Sequence, residues 1–202
     1  MKNLLNKYED KFNQSNSKVK VDESWSRFFN NKNSTSYQRY QYCISNLYGD
    51  IVDVGSGDGF GAYMMRKNEK INHITCIEIQ DKAIKKAKKN LKDFIDITIN
   101  KGIGEELLFD NDFFDSAFCG ETLEHVFDEE KVISEIHRVV KDVAVFTIPI
   151  NGGISLTHIR EYKDESELKN KLSKYFNVVE EKVFLDKNNL RRIAFVCKKA
   201  KT

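Results

Sequence analysis

Apolar positions along this chain fall into two rhythms that take turns. Short apolar runs closed by glycine or polar residues recur as "DIVDVGS" (50–56), "HITCIEI" (73–79), "IDITIN" (95–100), "FFDSAFCG" (113–120) and "VAVFTIPI" (143–150). Their length and β-branched content predict strands, the first of them buried. Between them lie longer stretches with apolar residues three and four apart, which predict helices with one face inward. "FGAYMMRKNE" (60–69) is one. "DKAIKKAKKNLKDF" (81–94) sets Ala83, Ile84, Ala87 and Leu91 on one side, with Asp81 as its cap and lysines outward. "DEEKVISEIHRVVK" (128–141) and "DESELKNKLSKYF" (164–176) are the others. The order changes at the end. "NVVEEKVFL" (177–185) and "RRIAFVCKK" (191–199) follow each other with only a few residues between, a connection that fits an antiparallel hairpin.

Strands alternating with helices predict an α/β fold, a mostly parallel sheet with helices on both faces, here finished by a C-terminal antiparallel hairpin. Ligands of such sheets bind beyond the carboxyl ends of the strands, where the strand order reverses. The first 48 residues stand apart as an N-terminal helical segment. Residues 1–20 are polar and weakly patterned, and "ESWSRFFNN" (23–31) and "SYQRYQYCISNLY" (36–48) predict two helices rich in aromatics. They are candidates for a lid over a domain spanning 49–202.

Composition narrows the classes. The 202 residues carry 33 basic and 31 acidic side chains, so a net charge of +2 offers no argument for a nucleic-acid or membrane partner. There is no apolar run long enough to span a bilayer and no apolar core of a signal peptide at the N-terminus, which points to a cytoplasmic protein. Cys43, Cys76, Cys119 and Cys197 are far apart and form no C-x-x-C pair, as expected of reduced thiols.

The densest chemistry lies where the first strand ends. In "IVDVGSGDGFGA" four glycines, Gly55, Gly57, Gly59 and Gly61, fall within seven positions and open a helix. Bare backbone there lets a ligand come close. "GDGFGA" fits the G-x-G-x-x-A pattern of a dinucleotide site, with Glu78 at the end of the second strand as the ribose acid. The acids favour a different ligand. Asp53 stands two residues before the first glycine and Asp58 inside the loop. A carboxylate at the mouth would repel a pyrophosphate, whereas it would orient an ammonium. S-adenosylmethionine offers an ammonium and no phosphate.

The segments "VDVGSGDGFGAYM", "CIEIQDKAIKKAKKN", "LLFDNDFFDSAFCGETLEHVFDEEKVISEIHRVVK" and "VFTIPI" together resemble the successive motifs of the class I S-adenosylmethionine-dependent methyltransferases. The resemblance covers roughly residues 50–150. It implies a seven-stranded sheet with its last strand inserted antiparallel, in agreement with the hairpin. It also implies S-adenosylmethionine as cofactor. Gly55, Gly57 and Gly59 would pack against its methionine part and Asp53 would be the preceding acid. Glu78 would hold both ribose hydroxyls and Ile79 would flank the adenine. One departure stands out. The aspartate that often meets the adenine amino group is replaced at Ile103 and Gly104, so their backbone groups or Glu105 would substitute.

After the fourth strand, "CGETLEHV" places Gly120 and Glu121 beside the transferred methyl group. Glu121, Glu124 and His125 would share one side of a helical turn. With His158 they resemble a divalent-metal constellation of small-RNA 2′-O-methyltransferases and ubiquinone-pathway O-methyltransferases. Relatives often carry Glu124-His125 without a metal, and none is assigned here. Glu121 and His125 are the candidate catalytic residues, as a base for a hydroxyl acceptor. Arg39 and Tyr40 are candidates for the lid over the cofactor. The function implied is methyl transfer to an O or N atom of a small molecule, such as a sugar, lipid-linked or natural-product acceptor. The alternatives are a 2′-hydroxyl of RNA, a non-catalytic cofactor-binding partner protein, and an NAD(P)-dependent oxidoreductase.

Overall fold

A computed structural model of the chain describes Leu4, Lys7, Tyr8 and residues 34–151, 158–185 and 189–200. Seven strands form one sheet: β1 (Gly49–Val54), β2 (Ile71–Glu78), β3 (Ile97–Lys101), β4 (Phe114–Gly120), β5 (Val140–Ile150), β6 (Phe176–Leu185) and β7 (Arg191–Lys199). Their order in space is β3-β2-β1-β4-β5-β7-β6. The first five run parallel. β7 lies antiparallel between β5 and β6, because the short link after β6 cannot cross over to a parallel strand. Pro149, which has no N–H to donate, falls in β5 past Thr147, where β4 has already ended.

The described helices are α1 (Thr35–Ser45), α2 (Phe60–Met65), α3 (Asp81–Asn90), α4 (Glu129–Val139) and α5 (Glu165–Leu172). Side-chain caps start three of them: Ser34 accepts from Tyr37 N–H, Asp128 from Lys131 N–H and Asp164 from Ser166 N–H. Asp81 is not the cap expected of it. The N-cap of α3 is Gln80, and Asp81 sits one residue inside, 2.9 Å from Lys101 Nζ. A carboxylate in the first turn still favours the helix through its dipole. The predicted helix over "ESWSRFFNN" lies outside the described residues.

Alternation along the strands sorts the core into two layers. Val52, Val54, Ile77, Ala117 and Cys119 point to the face covered by α4 and α5. Ile51, Ile74, Cys76 and Phe118 point to the other, under α1 and α2, with Leu91 following α3. All four cysteines are buried free thiols. No described helix is long and apolar enough to cross a membrane. The connections from β1 go to opposite sides at β2 and β4, so a crevice opens beyond the carboxyl ends of β1 and β4.

Candidate active site

The glycine loop closes β1 by turning its amides back onto β2: Gly55 N–H and Ser56 N–H both donate to Ile77 O, at 2.8 and 3.1 Å. Gly55 holds φ at 77°, and a Cβ there would stand 2.3 Å from Thr122 Oγ1. The loop and the segment after β4 thus touch at a point where no side chain fits. Gly57 differs. Its φ is 58°, and a Cβ there would meet nothing within 4 Å. Its bare side faces open space. Gly59 is the N-cap of α2. The Gly55→Ala variant is expected to lose about 3 kcal/mol of stability, from left-handed strain and overpacking together. A denaturant melt measures this, and an unchanged midpoint would contradict the close contact.

Asp53 is the next-to-last residue of β1, flanked in register by Cys76 and Phe118. It is 2% exposed, and its Oδ2 has no hydrogen-bond partner. Burial, and then the Glu78 charge, push this carboxyl up to about 7. Glu78 is also buried but well supplied with donors. Its Oε2 accepts from Gly57 N–H at 2.8 Å, and its Oε1 from Ile79 N–H at 2.9 Å and Gln80 N–H at 2.8 Å. Burial raises its carboxyl above the usual range, and those three bonds work against the rise. Two acids therefore stand at the ends of β1 and β2, one orphaned and one held.

Asp58 does not point at the crevice as its place in the loop suggests. Its carboxylate lies 3.4 Å from Lys86 Nζ of α3, and Asn90 donates to its backbone oxygen. The loop is thereby tied to the helix beside it. Ile79 is half-buried just beyond Glu78. Past β3, Ile103 is buried in a small bridge to Glu106. Gly104 presses against Val132 and Val54, where a Cβ would come within 3.0 Å of both, so its smallness serves packing. Glu105 is buried with one oxygen occupied: Oε1 accepts from Tyr8 Oη and from the N–H groups of Phe127 and Asp128, while Oε2 has no hydrogen-bond partner.

Across the crevice, Gly120 leaves room for the Phe118 ring, and Thr122 Oγ1 donates to Val54 O. The segment from 121 to 125 is a turn, not a helix. Glu121 has φ of 52°, and its carboxylate is engaged by arginines rather than grouped with His125 and His158. Its Oε2 accepts from Arg192 Nε at 3.0 Å, and its Oε1 lies 3.1 Å from Arg39 Nη1. The expected single constellation thus divides. Glu124, His125 and His158 do come together, with ligating atoms within 4.8 Å of one another. The two imidazole rings meet edge to face at 4.8 Å. Glu124 is buried, and its Oε2 has no hydrogen-bond partner. Burial, then the Glu121 charge, drive its carboxyl well above the usual range.

α1 covers this ground from the other face of the sheet. The Tyr40 ring packs edge-on against Phe60 at 5.2 Å, and Tyr40 and Asp53 Oδ2 both stand 3.4 Å from where a Gly61 Cβ would be. Sequence reasoning named Arg39 and Tyr40 but missed Arg192 and Tyr8. Arg192 reaches Glu121 across 71 positions and Tyr8 reaches Glu105 across 97, separations at which no local pattern signals a contact.

Comparisons with known proteins fit this geometry. Residues 52–148 match the family model described as a methyltransferase domain. A ubiquinone/menaquinone biosynthesis C-methyltransferase UbiE from Rickettsia massiliae is 33% identical over 110 residues, covering 51% of this chain and 44% of that protein. The chain thus spans less than half the length of the curated relatives it matches. Among solved structures, YcgJ from Bacillus subtilis has a TM-score of 0.69 at 14% identity, covering 82% of this chain and 100% of that one. An S-adenosylmethionine-dependent methyltransferase from Mesorhizobium loti has a TM-score of 0.69 at 13% identity, over 82% and 98%. The cyclase SpnF has a TM-score of 0.73 at 14% identity, over 82% of each chain. The last is named for a cyclisation, so the fold alone does not specify the reaction.

Proposed function

We propose that residues 52–148, which match the methyltransferase-domain family model, bind S-adenosylmethionine as a class I methyltransferase does, and that the protein transfers its methyl group to a nucleophilic atom of a small molecule. The observation that carries the reading is Asp53, a buried carboxylate with an orphaned oxygen at the mouth of the glycine loop. An ammonium satisfies it, whereas a pyrophosphate would add charge of the same sign.

The residues around the crevice fit that cofactor. Asp53 would hold its ammonium, and the open side of Gly57 would receive its methionine part. Glu78 would take the ribose. A carboxylate has about four acceptor sites, and three are already used by backbone N–H groups, so a second ribose hydroxyl would displace one of those donors. The adenine would lie by Ile79 and the backbone of Ile103, since Gly104 is packed against Val54 and Val132.

When bound, the cofactor supplies an already activated methyl group on a sulfonium. What remains for the chain is position and one proton. Holding donor and acceptor in line can lower the barrier by about 7–11 kcal/mol. Cations engage both oxygens of Glu121. His125 is the base we assign for a hydroxyl acceptor, with its Nε2 3.9 Å from Glu124 Oε1. Glu124, His125 and His158 are also a candidate cation cluster, but no step here is routed through a metal. The curated relatives are named for C-methylation in quinone biosynthesis. That supports a second reading, an electron-rich ring carbon as nucleophile.

Calorimetric titration with S-adenosylmethionine, S-adenosylhomocysteine and NAD tests the proposal. Binding of the first two at about micromolar strength, with none of NAD, is the expected result. Binding of NAD alone would replace this reading with the oxidoreductase one.

A further inference from the structure

Arg39 is a charged side chain brought in by α1 and left 6% exposed. Its Nη1 comes within 3.1 Å of Glu121 Oε1, close enough for an ion pair but out of line for a hydrogen bond, and it has no hydrogen-bond partner. The Glu121 carboxylate is drawn elsewhere at the same time. Oε2 accepts from Arg192 Nε at 3.0 Å, and Oε1 also accepts from Thr147 Oγ1 at 3.3 Å. Arg39 therefore keeps the weaker share of an anion divided among three donors.

Three observations place this guanidinium at the crevice. Glu121 N–H donates to Thr147 O of β5, and the next residue, Thr122, donates to Val54 O at the end of β1. Thr122 is also the side chain on which Gly55 packs. Arg39, through Glu121, thus sits at the carboxyl ends of β1, β4 and β5.

A clamp that only pinned α1 to the sheet would be expected to use its buried guanidinium well. Arg39 instead shares one carboxylate with Arg192 and Thr147, with Nη1 out of line for a hydrogen bond, and a planar guanidinium offers a fork matched to carboxylate or phosphate oxygens. Glu121 is itself held at a positive φ, a conformation that non-glycine residues adopt only at a cost. It has the character of an internal anion occupying the place of another.

Resting on the methyl-transfer reading above, we infer that the methyl acceptor carries an anionic group, a carboxylate or a phosphate, that binds Arg39 and Arg192 in the place now shared by Glu121. The acceptor would then be sorted by charge at one end while its nucleophilic atom faces the methyl group. Such recognition is directional, because a bidentate pair fixes orientation as well as affinity.

The test loads the wild-type protein with S-adenosylhomocysteine and titrates benzoate against benzamide and phenyl phosphate against phenol. At least one anion is expected to bind about tenfold more tightly than its neutral counterpart, and the arm that wins tells carboxylate from phosphate. Arg39→Gln and the more exposed Arg192→Gln should each abolish the preference. Glu121→Gln should strengthen anion binding by about tenfold, because it removes the carboxylate charge that competes for Arg39 and Arg192. A purely structural clamp predicts no such gain. No anion preference in either pair, or a preference that survives both arginine variants or is lost in Glu121→Gln, would overturn the inference. Failure of the wild type to bind S-adenosylhomocysteine would instead overturn the methyl-transfer reading on which it rests.

Discussion

The Asp53→Asn variant is expected to melt above the wild type without ligand at pH 8 and to bind S-adenosylmethionine about a hundredfold more weakly. Both effects come from one atom. Asp53 is buried with an unpartnered Oδ2, and its carboxyl titrates at about 7 when folded against 3.8 as an ordinary aspartate. Between those values the folded chain holds a proton that the unfolded chain has released. Stability therefore falls as pH rises through that window and is lowest above about 7. At about 1.4 kcal/mol per pH unit the full cost comes to about 4.5 kcal/mol, an upper figure because buried sites relax. Asparagine keeps the shape and never ionises, so about 2 kcal/mol and roughly 4–8 °C should return. The same change removes the charge that an ammonium needs. Wild-type affinity should rise as pH passes from about 6 to 8, and the variant should show no such rise. Thermal melts and titrations across pH check both halves. A variant that melts lower, or binds normally, would contradict the role given to this carboxylate.

Glu78→Ala should also cost about a hundredfold in S-adenosylmethionine affinity, by removing the acceptor for a ribose hydroxyl. Its effect on the unliganded protein should have the opposite sign. Three backbone donors, Gly57, Ile79 and Gln80 N–H, rely on this carboxylate and would be left without it. Unmet donors in a half-buried loop should outweigh the relief of deleting a carboxyl raised by burial, for a net loss of about 2 kcal/mol. Two buried acids facing one ligand are thus predicted to differ in what they do for the fold. A urea melt of both variants side by side reads the contrast, and loss of stability in both would mean that Asp53 has a partner in solution.

The sheet was legible because its strands are apolar runs with a period that differs from that of the helices between them. Even the reversal at β7 could be read, since the link after β6 is too short for a crossover. The glycine loop and its two acids were legible for a related reason. Their chemistry is concentrated in sequence, with Asp53, Gly55 and Gly57 within five positions and Glu78 at the next strand end. Asp81 as a cap failed by one residue, since either of two neighbours can start a helix and the backbone chose Gln80.

The acceptor side could not be read in this way. The spacing of Glu121, Glu124 and His125 suggested a shared helical face, but the chain makes a turn there. Two arginines from α1 and β7 pull Glu121 to one side, and His158 joins the other two. By itself the sequence determined the sheet and the glycine loop with an acid at each of two strand ends, because each is local or repeats along the chain. Only the tertiary structure decided which charges meet across the crevice. Arg39, Glu121 and Arg192 lie far apart in sequence, and such pairings depend on how helix and sheet edges are brought together.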